Sequence, residues 1–327
     1  MKNINYQKIC LDLISDLNER EKEVISRRFG LGGKNRQTLE AIGQDYGLCR
    51  ERIRQIQEAA IKKIKPKLEK LQEVWEFFLN YFKKSGGLKK EDVLLTELGG
   101  EKEKNEVYFL LTLTPLFRRF SENENFHSFW TSDLNAFDLA KRVINSVSAQ
   151  FEKAKRPLAF QELNPLFPLE KEAFESYLEI SKKIQKNQEN LYGFREWPEI
   201  NPRGIKDKAY LALKKTGKPL HFKEITALIE KANLQTVHNE LIKDSRFVLV
   251  GRGIYGLAEW GYLPGQVRDV ILKILEQEKR PLKKEEIVEK VLRQRLVKEN
   301  TILMNLSNKK YFLRDSQGRY RLKPEVI

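Results

Sequence analysis

Arg50, Glu51, Arg54 and Gln55 fall within six residues. At helical spacing they occupy the polar face and N-terminal end of one helix, while Ile53, Ile56, Ala60, Ile61 and Ile64 mark its apolar stripe. Side chains of this kind read DNA bases. Arg can reach guanine O6 and N7 as a fork, and Glu can accept from cytosine N4. Other chemistry is harder to assemble. GLGGK at 30–34 imitates a phosphate loop, but it follows a helix rather than a strand and lacks Ser or Thr after the Lys. His127, His221 and His238 stand in different sequence contexts with no second cysteine nearby, which argues against zinc. Cys10 reads as a small core residue. Cys49, at a helix start among arginines, reads as a stand-in for Ser or Thr rather than a redox thiol. No two carboxylates are spaced for general acid–base work. The chain is therefore expected to be no enzyme and to hold no metal or cofactor.

Two helices must position those residues. LNEREKEVISRRFGL (17–31) reads as an amphipathic helix with Asn18 as N-cap, ended by Gly30. Thr38 then caps a short helix through Tyr46, Gly47 and Leu48 make a turn, and a second helix runs from Arg50 to about Ile64. Helix, turn and Arg-rich helix make a helix-turn-helix, whose second helix presents its N-terminal residues to the major groove.

This stretch resembles region 4 of the primary-type sigma factors of bacterial RNA polymerase, the domain that reads the −35 promoter element. RERIRQI (50–56) matches the family's recognition-helix motif, and RRFGL (27–31) matches the end of the preceding subregion. The resemblance implies that Arg50, Glu51, Arg54 and Gln55 contact bases, with Arg52, Lys62 and Lys63 near phosphates or the polymerase. It also implies double-stranded promoter DNA and the RNA polymerase core as partners. Ala41 stands where the family has an acidic residue, Gln57 where it has Glu, and Cys49 where it has Thr or Ser. Nothing resembles the sigma regions that melt the −10 element.

An internal repeat organises the rest. KRPLAFQEL (155–163), GKPLHFKEI (217–225) and KRPLKKEEI (279–287) place their prolines 62 residues apart, and GGLKKEDVL (86–94) is a weaker copy. Each follows a stretch of helical apolar spacing and precedes two more helical stretches and two short β-like runs. The clearest pair is 247–250 and 254–257 around the turn Gly251–Arg252–Gly253; the last is 311–313 and 320–322. A helical solenoid would lack the terminal hairpin. The expected fold is mainly α: a helix-turn-helix domain at 1–66, then winged-helix units (three helices plus a β-hairpin) at 67–133, 134–202, 203–262 and 263–327. Residues 67–327 are expected to fold without residues 1–66. The third unit, 203–262, resembles the HARE type of winged helix-turn-helix, which implies a transcription or DNA-linked role.

Lys and Arg number 61 against 46 Asp and Glu, a net charge of +15, which points to a polyanion. Residues 1–66, 203–262 and 263–327 carry 14, 11 and 16 basic side chains against 9, 6 and 9 acidic ones, while 67–202 has no excess. DNA contacts are accordingly expected from Gln235, Asn239, Lys243 and Arg252 in the third unit and from Asn305, Lys309 and Lys310 in the fourth. Thr236, His238, Lys298, Asn300, Asn308, Arg314, Arg319 and Arg321 stand beside them. Acidic Glu170, Glu172, Glu175 and Glu179 in the second unit, and the apolar run 107–113 in the first, suit a spacer or protein platform. Two cysteines, no signal-like N-terminus and no long apolar run point to a reducing, cytoplasmic setting without a membrane. The two resemblances imply two classes: a sigma-like transcription factor, or the DNA-recognition or adaptor part of a restriction or repair system. RERIRQI favours the first.

Overall fold

The computed structural model describes residues 4–163 and 169–323. It is mainly helical with small antiparallel sheets, and it divides into two compact units, Met1–Glu196 and Trp197–Ile327. The first opens with α1 (Tyr6–Ile14), α2 (Glu19–Phe29), α3 (Leu39–Tyr46) and α4 (Arg50–Ile64). The expected ends hold. Asn18 accepts from Glu21 N while the Glu21 carboxylate accepts from Asn18 N, a reciprocal cap, and Gly30 closes α2 in the left-handed region at φ +69°.

A winged unit follows: α5 (Gln72–Lys84), β1 (Leu88–Lys90), α6 (Glu91–Gly99), α7 (Lys104–Leu113), β2 (Arg118–Phe120) and β3 (Phe129–Thr131). The second has α8 (Leu134–Ala154), β4 (Leu158–Ala159), α9 (Phe160–Leu163), α10 (Lys171–Glu179), β5 (Ile184–Lys186) and β6 (Leu191–Phe194). The other compact unit holds α11 (Gly204–Thr216), β7 (Leu220–His221), α12 (Phe222–Ala227), α13 (Leu234–Lys243), β8 (Phe247–Gly251) and β9 (Ile254–Leu257). It ends with α14 (Val267–Glu278), α15 (Lys284–Gln294), α16 (Glu299–Leu306), β10 (Phe312–Arg314) and β11 (Tyr320–Leu322). The first three sheets share one order, β1-β3-β2, β4-β6-β5 and β7-β9-β8. In the fourth, Leu282 bridges to Tyr320 beside the β10–β11 pair.

The repeat motif has a physical reading that this topology supplies. Its leucine is the first strand: Leu88, Leu158, Leu220 and Leu282 are buried and pair with Thr131, Tyr192, Tyr255 and Tyr320. Its glutamate turns back on the start of the second helix, where Glu162, Glu224 and Glu286 accept from the backbone N–H of Ala159, His221 and Lys283. The short strand is the element that reading for helices overlooks; the recurring leucine is its signal.

One expected division of the chain does not coincide with a break in the core. A single apolar cluster joins Tyr6, Leu13, Ile25, Phe29 and Ile64 to Phe78, Phe82, Phe109, Leu110 and Trp130. The 66/67 boundary therefore cuts through one core, which weighs against the expectation that the first winged unit folds without residues 1–66. Four large side chains on its α7 alone (Val107, Phe109, Leu110, Leu111) are fully buried. Exposing each would cost about 1.5–3 kcal/mol.

Candidate nucleic-acid interface

The helix-turn-helix is set by a small core and a tight turn. Val24, Ile42 and Ile53, one from each of α2, α3 and α4, are fully buried against Leu39, Tyr46, Leu48 and Ile56. Thr38 Oγ1 accepts from Ala41 N to start α3, and Gly47, at φ +66°, ends it. Leu48 N donates to Gly43 O at 2.8 Å. A Cβ on Gly43 would sit 2.5 Å from the Leu48 carbonyl oxygen, so only glycine lets the turn close this tightly. The two arginines of RRFGL brace the approach. Arg27 donates to Gln37 Oε1 and pairs with Asp45, and Arg28 donates to Gln37 O.

With Ile53 inward, Arg50, Glu51, Arg52, Arg54 and Gln55 all lie on the exposed side of α4. Arg54 is held by carboxylates on both sides, 2.6 Å from Glu51 and bonded to Glu58. Its hydrogen bonds to Glu51 hold that carboxyl below the usual carboxylate range. Arg52 donates to Gln55 Oε1 at 3.0 Å. The polar face is thus a pre-ordered lattice of guanidinium, carboxylate and amide. Cys49 is exposed, in extended geometry at the N-cap, and makes no side-chain cap bond. Lys62 is exposed, whereas Lys63, expected near phosphate, is bound to buried Glu21 at 2.7 and 2.9 Å and clamps α4 to α2.

The third helices of the four winged units divide into two kinds. Asn105 on α7 donates to the carbonyls of Gly30 and Lys34 and accepts from Arg36, while Phe109 lies 4.7 Å from the Phe29 ring. Arg36 stacks 3.8 Å over Tyr108. α10 packs on β1: Tyr177 donates to Gly86 O at 2.7 Å, and buried Lys89 pairs with Glu179 at 3.0 Å. Both helices are spent on packing within Met1–Glu196.

α13 and α16 are not covered in this way. On α13, Val237 and Leu241 are buried, while Gln235, Thr236, Asn239, Ile242 and Lys243 face outward. On α16, Ile302 and Leu306 are buried, and Asn300, Thr301 and Met304 face outward. Lys298, Asn308, Lys309, Lys310, Arg252, Arg314 and Arg321 are exposed; Arg319 is tied to Asp315 at 2.9 Å. Asn305 is half-buried, its amide bonded to Thr301 O at 2.8 Å. His238 is half-buried against Phe222, ring to ring at 4.5 Å, and His221 is the N-cap of α12. Burial drives the Cys10 thiol well above its ordinary pKa, as befits a core residue. Among the described residues no cluster of His, Cys, Asp or Glu could hold a metal ion, and no helix is long and apolar enough to cross a membrane.

A helix-turn-helix of this build, with an arginine-rich second helix, has the architecture that DNA-reading modules use. The sequence model of the family described as "Sigma-70, region 4" matches residues 13–65, so the N-terminal module is a sigma-70 region 4 domain. The chain is 41% identical over 69 residues to the RNA polymerase sigma factor RpoS of Coxiella burnetii, covering 21% of this chain and 20% of that protein. It is 50% identical over 54 residues to RpoD of Helicobacter pylori, 16% of this chain and 8% of that protein. Over 54 residues it is 44% identical to SigA of a Bacillus species, 16% and 14% of the two chains. The chain thus spans a fifth or less of the length of these curated relatives.

Proposed function

We propose that this chain is a sigma-like, non-enzymatic DNA-binding transcription factor. Its region 4 domain reads a −35-type promoter element and engages the RNA polymerase core, which sets its workplace in the bacterial cytoplasm. The observation that carries this reading is the exposed face of α4, where Arg50, Glu51, Arg54 and Gln55 stand outward on a helix pinned from beneath by Ile53. Arg50 and Arg54 are assigned to guanine, Glu51 to cytosine and Gln55 to a neighbouring base edge. Arg52 and Lys62 are assigned to phosphate.

The winged units divide the remaining work. α7 and α10 are packed away, so residues 67–202 serve as the platform that holds the region 4 domain. Residues 203–327, HARE-like in the third unit, add duplex contacts through Gln235, Asn239, Lys243, Arg252, Lys309 and Lys310. Mapping the chain's binding sites across the genome beside those of the polymerase core tests the reading. Coincidence at promoters is expected; sites unrelated to polymerase would refute it.

A further inference from the structure

From the exposed faces of α13 and α16, we infer that these two helices read A·T base pairs in the major groove. The target is then composite, with a G·C-containing segment under α4 and an A·T-rich segment under residues 203–327. This rests on the proposal that residues 203–327 bind duplex DNA.

α13 carries its outward side chains as a narrow stripe. At 100° per residue, Gln235, Asn239 and Ile242 fall within about 60° of one another. Asn239 is opposite the buried Val237 and Leu241. Gln235 Nε2 donates to Asn239 Oδ1 at 3.1 Å. That bond leaves the Gln235 oxygen and the Asn239 amide nitrogen, an acceptor beside a donor. Adenine offers the complement in the major groove, N6–H as donor and N7 as acceptor. Ile242, 63% exposed, supplies apolar surface for a thymine methyl.

α16 repeats the theme with different residues. Met304, 75% exposed, stands opposite buried Ile302 and Leu306, flanked on one side by Asn300. Amide beside exposed hydrocarbon is the recognition chemistry of an A·T pair. Neither helix contains arginine, the commonest reader of guanine, whereas α4 contains three. The lysines lie at the helix ends: Lys243 in the last turn of α13, Lys298 before α16, and Lys309 and Lys310 after it. Glu240 and Glu299 fall at least 100° from the middle of each outward stripe. Residues 203–327 carry 27 basic side chains against 15 acidic, which suits an anionic duplex over an acidic protein.

The test takes the full chain and a library of random duplexes, sequencing what it retains. Two enriched segments are expected, one of which is an A·T run. The Asn239→Ala and Asn300→Ala variants should each lower the preference for that run by about tenfold and leave the other segment unchanged. Replacing thymine by deoxyuridine in the run removes only the C5 methyl. It should weaken the unaltered chain several-fold and leave the double variant Ile242→Ala/Met304→Ala, which has already lost both contacts, unmoved. Enrichment of the α4-dependent segment alone overturns this inference while the sigma-like reading stands. An A·T run indifferent to Asn239, Asn300 and the methyl groups also overturns it. Loss of all enrichment refutes both.

Discussion

Asn105 donates its side-chain amide to the carbonyl of Gly30 at 2.9 Å, joining the third helix of the first winged unit to the residue that ends α2. A Cβ on Gly30 would lie 2.6 Å from that same Asn105 nitrogen. The region 4 domain and the first winged unit are therefore built around one another rather than strung together.

Removing residues 1–66 should leave α7 exposed and the first winged unit without a stable core. Limited proteolysis of the truncated chain is expected to cut within 67–131, while 203–322, which has its own two apolar clusters, stays resistant. The milder change Asn105→Ala should cost about 0.5–1.5 kcal/mol, because it removes the amide's bonds to the Gly30 and Lys34 carbonyls. An unchanged melting temperature for Asn105→Ala would show that the amide is incidental.

Cys49→Thr should stabilise the region 4 domain by a few tenths to about 1 kcal/mol. The site has cap geometry and exposure but no side-chain acceptor in use, and Thr supplies one. Thermal unfolding of the two chains measures it, with a lower midpoint for the Thr chain as the contrary result.

Lys62 and Lys63 are neighbours with different duties. Lys62→Ala should shallow the salt dependence of DNA binding by about one phosphate contact. Lys63→Ala should leave that slope nearly unchanged but cost on the order of 1 kcal/mol in stability, since buried Glu21 loses its cation while Lys63 is half exposed. Equal slopes for the two variants would remove the distinction.

Acid should loosen the third winged unit through Asp244. Hydrogen bonds from Arg246 hold its carboxyl below the ordinary value, and Arg246 also reaches Asp207 at 2.9 Å. A depressed folded pKa gives stability that is complete above the unfolded carboxylate range and lost as pH falls through the folded value. Melting followed downward from pH 5 should show the loss, and Arg246→Met should flatten that slope; an equally steep slope would contradict it.

Much of the architecture is written in local chemistry. Asn18, Gly30, Thr38 and Gly47 mark helix ends because each satisfies a terminus with its own atoms, so those ends are readable without the rest of the chain. The winged units are readable because their motif recurs. The docking of α7 is not: the apolar run 107–113 announces burial, but the partner, Phe29 and the 30–36 loop, lies some 75 residues away in sequence and leaves no local trace. For the same reason the spacing of Lys63 shows where it points but not that Glu21, 42 residues away, already holds it.

Binding of the full chain to a −35-type promoter duplex, in competition with a scrambled duplex of equal length, tests promoter reading by α4 most directly. The unaltered chain should prefer the promoter duplex. Arg54→Ala, at an exposed position, should narrow that preference by about 1–3 kcal/mol while both duplexes keep their salt dependence within one phosphate contact. Undiminished preference in the Arg54→Ala chain would contradict the assignment of α4 as the reading helix.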